Sequence, residues 1–110
     1  MHDLKWSNQD KAIARKAFNQ ALEREFAAVI EKAKQMASRI KEPEDLWNLE
    51  DYLTQSRKKI DETYDYRYSV LPLVFGNLVM EGRLREEELQ GLGDDKLGLI
   101  RRYVQISTER

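Results

Sequence analysis

DLWNLEDYLTQSRKKIDETYDYRYSVLPLVF, residues 45–75, is the stretch that decides how this chain folds. It begins as an amphipathic helix, because apolar or small side chains recur at helical spacing. These are Leu46, Leu49, Leu53, Ser56 and Ile60. Trp47 lies off this stripe and shares a helix face with Asp51 and Thr54. A tryptophan placed there must pack against something else or stand in water. The residues alone leave two interpretations open: an ordinary tryptophan partly buried in its own chain, or an anchor that contacts another chain.

A long helix precedes this stretch. Ser7 is a good N-cap, and Asp10 occupies the N3 position of a capping-box-like pattern. No glycine or proline interrupts the chain from there to Ile40, and a heptad seam predicts a partner helix along its length. The seam comprises Leu22, Phe26, Val29, Ala33, Met36 and Ile40. At about 1.5 Å per residue this helix spans about 50 Å, although a compact chain of this size has a radius of gyration near 13 Å. Either the helix breaks, or the molecule is elongated and its protruding arm is covered by another chain.

The remaining segments are also helical. Pro43 suits the first turn of a second helix that runs to about Thr63 or Asp65, and the short joint before it predicts an antiparallel hairpin. Ser69 is the expected cap of a third helix, with Pro72 in its first turn and Gly82 after its end. A short helical turn over residues 85–89 and a last helix from an Asp94 cap to about residue 103 complete the chain.

These elements predict an all-α fold. We expect one domain over residues 1–110, with a helical-hairpin stalk at about 7–65 and a small helical head at about 66–106. The tyrosines at positions 64, 66 and 68 are interpreted as rings that pack the head against the stalk rather than as rings that stack on nucleic-acid bases. We expect the molecule to be an elongated homodimer.

Composition excludes several functional classes. Charged residues make up 35% of the chain, but the net charge is −1, so no basic face for nucleic acid is indicated. There is no cysteine, and the single histidine is His2, which argues against a catalytic triad, a proton shuttle and a metal or cofactor site. The longest apolar run, 70–75, is too short to span a bilayer, and residues 1–10 are polar. We therefore expect a cytoplasmic protein that is not an enzyme.

Two charges on the second helix have a geometry that favours an intermolecular contact. Asp51 and Arg57 are separated by six positions, or about 120° around the helix, so they cannot easily pair within it. A two-fold axis that crosses two copies of this helix would form the pair twice. The alternative is two separate solvated charges.

The order of motifs resembles the fluorescence recovery protein family of cyanobacteria. The motifs are DLW (45–47), DYL (51–53), Arg57, KID (59–61) and YDYRYSVL (64–71), followed by EG (81–82) and EELxGL (87–92). The similarity is strongest from Asp45 to Leu71. It implies an all-helical homodimer that binds the C-terminal domain of the photoactivated orange carotenoid protein, detaches it from the phycobilisome and speeds its return to the inactive orange form.

The resemblance also implies roles for particular residues. Trp47, Asp51 and Arg57 match residues of the family's dimer interface, where Glu50 replaces a usual histidine. A second set of positions matches those that contact the carotenoid protein. These are Leu73 and Phe75, where the family carries a Phe-x-Phe pair, and Leu99, where a basic residue is expected.

Two functional hypotheses follow. The first is a non-enzymatic regulator that accelerates recovery of the carotenoid protein, near the thylakoid-bound phycobilisome. The second is a helical dimeric interaction protein of the same family that has another partner and little activity on the carotenoid protein.

Overall fold

The computed structural model describes residues 4–109, and the fold over this range is entirely helical. Its helices are α1 (Asn8–Ser38), α2 (Pro43–Thr63), α3 (Leu71–Met80) and α4 (Asp94–Thr108), with a 3-10 turn at Glu86–Leu89 between the last two. The all-α class predicted from the sequence is confirmed. No helix in this range is both long enough and apolar enough to cross a membrane.

Local sequence explains where the two long helices begin. The Asp10 amide donates to the Ser7 hydroxyl, and the Ser7 amide donates to the Asp10 carboxylate, both at 3.0 Å. The predicted capping box is therefore confirmed. At the joint between α1 and α2, the Asp45 carboxylate accepts hydrogen bonds from the backbone amides of Glu42 and Lys41 at 3.0 and 3.1 Å. These bonds lower the pKa of Asp45 and hold the short joint in place.

Two predicted caps and one helix end are wrong. Val70, not Ser69, precedes α3, because a turn closes first through amides 70 and 71, which donate to the Arg67 carbonyl. Gly93, not Asp94, precedes α4, since its carbonyl accepts the first helical bonds. Helix α4 also continues to residue 108 rather than ending near Tyr103, because no glycine or proline follows to stop it.

Helices α1 and α2 form the expected antiparallel hairpin. The Tyr64 hydroxyl at the end of α2 lies 3.1 Å from the Ala21 carbonyl, and Lys32 lies over the Tyr52 ring farther along both helices. The molecule is elongated, at 54 × 31 × 24 Å, with a radius of gyration of 16.9 Å. This exceeds the value of about 13 Å expected for a compact chain of this size.

The core belongs to the N-terminal half of α1 and to the segments after residue 70. It consists of Ala14, Ala17, Phe18, Ala21, Leu71, Val74, Phe75, Leu78, Leu84, Leu89, Leu92 and Ile100. The tyrosine segment lies beside it: Tyr64 and Tyr66 pack edge-on against Phe18, with centroids 5.6 and 4.9 Å away. The rings of Tyr64 and Tyr66 thus pack against α1, as the sequence predicts for the tyrosine segment. Helix α2 contributes no buried residue at all.

A buried ion pair joins the start of α1 to the start of α4. The Lys96 ammonium lies 3.1 Å from Asp10 and 3.2 Å from Asp95, and it also donates to the Lys5 carbonyl. Burial alone would raise the pKa of Asp10. Hydrogen bonds from the amides of Ser7 and Gly93, together with Lys96, outweigh this effect and hold the pKa at about 2.

A second buried contact lies where α1 leaves the core. Glu25 is only 6% exposed, and its carboxylate accepts hydrogen bonds from the Arg83 guanidinium at 3.1 and 3.4 Å. The Tyr64 hydroxyl donates to the same carboxylate at 3.0 Å. Burial and the charge of Glu25 both raise the pKa of Tyr64. The hydroxyl therefore stays protonated and can donate its hydrogen to Glu25. The contact ties α1 to the end of α2 and to the turn after α3.

Substitution by alanine should change the free energy of unfolding in opposite directions at two glycines that lie inside helices. A Cβ on Gly76 would lie 2.5 Å from the Tyr103 ring, whereas a Cβ on Gly98 would meet nothing within 4 Å. Gly76→Ala should lower the free energy of unfolding by about 1–3 kcal/mol, because α3 and α4 must separate. Gly98→Ala should raise it by about 0.5–1 kcal/mol. Urea unfolding measures both, and equal effects of the two substitutions would contradict the close α3–α4 contact.

The buried pair predicts loss of stability in acid. The pKa of Asp10 falls from 3.8 to about 2 on folding, so its contribution is present above about pH 4 and is lost as the pH falls toward 2. Asp10→Asn should lower the free energy of unfolding on the order of 3 kcal/mol at neutral pH, and the difference from wild type should shrink in acid. Asp94→Asn, the same change at an exposed position, is the control. Parallel pH profiles for Asp10→Asn and wild type would refute this assignment.

Candidate functional site

Most of the large apolar side chains that the structure leaves exposed fall into two groups. The first group, here called the hairpin surface, lies on α1 and α2 and comprises Phe26, Ile30, Leu46, Trp47 and Leu53. The second lines an open pocket between α3 and α4, here called the head pocket. Scattered apolar side chains are normal on a protein surface, but contiguous patches indicate places where another molecule binds.

The hairpin surface exists because the two helices cover only part of each other. Phe26 of the predicted heptad seam is 48% exposed, and Leu53 of the α2 stripe is 44% exposed. Together with Arg57 they line a groove of about 430 Å³ between the helices. The seam therefore retains an uncovered side after α2 has packed against it.

Trp47 is the most exposed large apolar residue of this surface. It is 61% exposed, so the interpretation that it packs within its own chain does not hold in the described range. Its neighbour Glu50 accepts a hydrogen bond from the Thr54 hydroxyl at 2.6 Å, which fixes the carboxylate along the helix. The Trp47 ring is left available to another chain.

Asp51 and Arg57 are both exposed on α2. Within residues 4–109 neither side chain makes an ion pair, which agrees with the helical geometry that keeps them apart. Arg57 faces the groove with Phe26 and Leu53, whereas Asp51 is not part of its lining. The two charges are therefore available for contacts with another chain.

The head pocket brings together two of the three residues for which the family resemblance implies contact with the carotenoid protein. Leu73 on α3 and Leu99 on α4 are 49% and 45% exposed and line the same pocket of about 350 Å³. Its full lining is Leu4, Ser69, Val70, Pro72, Leu73, Leu99, Arg102, Tyr103 and Ile106. In the part of the chain that the structure describes, the pocket lining is mostly apolar and includes one charged side chain, Arg102.

Phe75, the third of these residues, does not reach the pocket. Its side chain is completely buried in the core, so a docked protein cannot touch it in this conformation. The reason is helical spacing, because Leu73 and Phe75 are two residues apart and point to nearly opposite faces of α3. Phe75 supports the helix that carries Leu73 but offers no contact surface itself.

Sequence reasoning missed several pocket residues, and a detectable signal existed for those on α4. Leu99, Arg102 and Ile106 recur at spacings of three and four, which places them along one face of the helix. Ile106 lies beyond residue 103, where the sequence predicts the end of this helix, so that prediction does not include it. Tyr103 is held in the pocket wall by its hydroxyl, which donates to Asn77 at 2.8 Å, and by its contact with Gly76.

Among residues 4–109 no three acidic or histidine side chains converge in a way that could hold a metal ion. The acidic run at 86–88 is divided between different partners, since Glu88 pairs with Arg24 and Glu86 pairs with Arg101. Arg24 lowers the pKa of Glu88 to about 2, as expected for a carboxylate in a structural ion pair.

The fold and its two apolar surfaces define a small all-helical protein whose prominent sites suit protein–protein contact. Residues 6–103 match the family model described as photoprotection regulator fluorescence recovery protein. The fluorescence recovery protein of Synechocystis sp. is 36% identical over 101 residues, which cover 92% of this chain and 93% of that protein. The chain belongs to the fluorescence recovery protein family and thus to a family of photoprotection regulators.

Solved structures agree with this membership. The fluorescence recovery proteins of Fremyella diplosiphon and Synechocystis sp. each match with a TM-score of 0.88, at 42% and 36% sequence identity. Each match covers 92% of this chain and 99% of the other. The family resemblance seen in the sequence is therefore confirmed.

Proposed function

We propose that this protein is a non-enzymatic regulator that binds the C-terminal domain of the photoactivated orange carotenoid protein. In doing so it detaches the carotenoid protein from the phycobilisome, accelerates its return to the orange form and ends photoprotective quenching. The observation that carries the proposal is the head pocket, where Leu73 and Leu99 meet at positions matched to those that contact the carotenoid protein. We place this activity in the cytoplasm, at the thylakoid-bound phycobilisome.

The protein acts as a homodimer in this proposal. Helix α2 has 21 residues and none is buried, although it is amphipathic. Such a helix gains little from tertiary packing in a monomer, and packing is where most helical stability arises. A second copy placed on the hairpin surface would bury Trp47, Leu46 and Leu53 and bring Asp51 of one chain to Arg57 of the other. Glu50 lies between Trp47 and Asp51 in the sequence and forms part of the same interface.

The two ends of the chain take different roles in this scheme. The stalk at about 7–65 supplies the dimer contact, and the head at about 66–106 presents the pocket to the carotenoid protein. The core supports such a division, because its α1 residues end at Ala21 and the buried Glu25, and the rest of the helix extends beyond them. The N-terminal half of α1 then serves the head as well as the stalk.

Charge reversal at Arg57 tests the dimer. Arg57→Glu would place like charges at both symmetric contacts. If the interface partly buries the pair, the dimer should weaken on the order of 3–5 kcal/mol while the circular dichroism stays helical. Lys58→Glu, the same change at the next residue, is the matched control. The double variant Asp51→Arg with Arg57→Asp should recover part of the dimer. Analytical ultracentrifugation measures each mass, and an unchanged dissociation constant for Arg57→Glu would show that these charges are merely solvated.

Recovery kinetics test the function. Catalytic amounts of the protein are added to photoactivated orange carotenoid protein in the dark, and the red-to-orange absorbance change is followed. We expect recovery faster than the spontaneous rate and a complex on size exclusion. If neither is seen, a helical dimeric interaction protein with another partner is the better description.

The head pocket should set the efficiency of recovery. An aromatic anchor at an interface is often worth about 2 kcal/mol or more, and a charge at its rim raises the association rate. Leu73→Phe combined with Leu99→Lys should therefore increase the recovery rate when the protein is limiting. Gln90→Lys adds the same charge outside the pocket and serves as control. An unchanged or lower rate in the double variant would argue against contact through this pocket.

A further inference from the structure

Among the described residues 4–109, Arg102 is the single charged residue in the lining of the head pocket. The apolar side chains around it include Leu73, Leu99 and Ile106, each close to half exposed. A cation at the rim of such a surface loses part of its water when another protein covers the pocket. Its attraction to a carboxylate then acts at a lower effective dielectric constant and becomes stronger.

The neighbouring arginine shows that Arg102 differs from an ordinary surface charge. Arg101 donates to Glu86 and lines a separate groove, so its charge is already compensated within the chain. Arg102 is exposed and has no carboxylate within ion-pair distance among residues 4–109. Two adjacent arginines on α4 therefore have different environments, and within the described part of the chain Arg102 faces the pocket without a carboxylate partner.

The pocket suits a piece of another protein better than a small molecule. Its volume of about 350 Å³ is at the lower end of the usual range for ligand sites, about 300–1,000 Å³. It is open, and the leucine and isoleucine side chains around it remain uncovered unless something broader than the pocket lies across them. A protein segment can place one apolar side chain in the pocket and cover the surrounding side chains at the same time.

We propose that the head pocket selects a partner segment in which an apolar side chain stands next to an aspartate or glutamate, with Arg102 as the residue that recognises the carboxylate. The inference rests on the function proposed above, in which this pocket docks the carotenoid protein. The planar guanidinium can make two parallel hydrogen bonds to a carboxylate, so it fixes orientation as well as charge. Arg102 thus provides a cation one helical turn from Leu99, on the same side of α4.

Substitution at Arg102 with a matched control at Arg101 tests this role. Recovery of the photoactivated carotenoid protein is measured against the concentration of wild type, Arg102→Gln, Arg102→Lys, Arg102→Glu and Arg101→Gln. We expect Arg102→Gln to raise the concentration for half-maximal acceleration at least tenfold with the same maximal rate. Arg102→Lys should restore part of the loss and Arg102→Glu should deepen it. Arg101→Gln should behave as wild type.

Two further measurements keep the result interpretable. Higher salt should weaken the action of wild type more than that of Arg102→Gln, since the variant lacks the charge pair. Replacement of the contacting carboxylate on the partner by lysine should restore binding of Arg102→Glu, and a scan of the exposed aspartates and glutamates of the carotenoid protein's C-terminal domain would find it. Circular dichroism and the dimer mass show whether each variant is folded and assembled.

The outcomes separate this inference from the function on which it rests. If wild type does not accelerate recovery, the proposed function fails. If wild type is active but Arg102→Gln and Arg101→Gln behave alike, Arg102 does not recognise the partner and the inference is overturned. A change in dimer mass for Arg102→Gln, without a change in recovery per dimer, would also overturn it by assigning the pocket to contacts between copies of this chain.

Discussion

The buried carboxylate of Glu25 is the contact on which the shape of the molecule depends. It is the last buried residue of α1, and it meets Arg83 from the turn after α3 and Tyr64 from the end of α2. One side chain therefore holds three segments at the point where the core ends. Removing one partner of a buried charge is costly because the other remains without compensation. These hydrogen bonds tie the end of α2 and the turn after α3 to α1 at the place where the helix leaves the core.

Beyond Glu25, α1 has only α2 for cover, and α2 is too narrow to bury the seam. The same helix thus has a packed half, rich in alanine, and a half whose seam stays partly exposed, as at Phe26. This explains how one continuous helix can belong to a core and to a protruding hairpin. The exposed apolar surfaces on the hairpin and at the head pocket have a related cause. A chain of this length has too few apolar residues to cover both of them.

Much of the architecture was predictable because it follows from local rules. The capping box at Ser7, the start of α2 at Pro43 and the end of α3 at Gly82 depend on neighbouring residues and were found correctly. The buried contacts of Glu25 with Arg83, and of Asp10 with Lys96, join residues far apart in the chain and leave no periodic signal. The family resemblance implies a partner contact for Phe75, but its position on α3 directs the side chain into the core. Tertiary packing, which the resemblance does not give, decides the exposure of this residue.

The charges on the two apolar surfaces differ in a way that bears on which partner each can accept. Helix α2 carries the opposite charges of Asp51 and Arg57. A two-fold pairing of identical surfaces can therefore give each charge an opposite partner on the other chain. Within residues 4–109 the head pocket carries one charged residue, Arg102, and pairing the pocket with its own copy would bring two guanidinium groups together without a carboxylate from this lining. Like charges facing each other across an interface cost several kcal/mol, on the order of the discrimination that specific binding needs. Symmetry and charge together favour the proposed self-association through the hairpin and the proposed contact of the pocket with a chemically different protein.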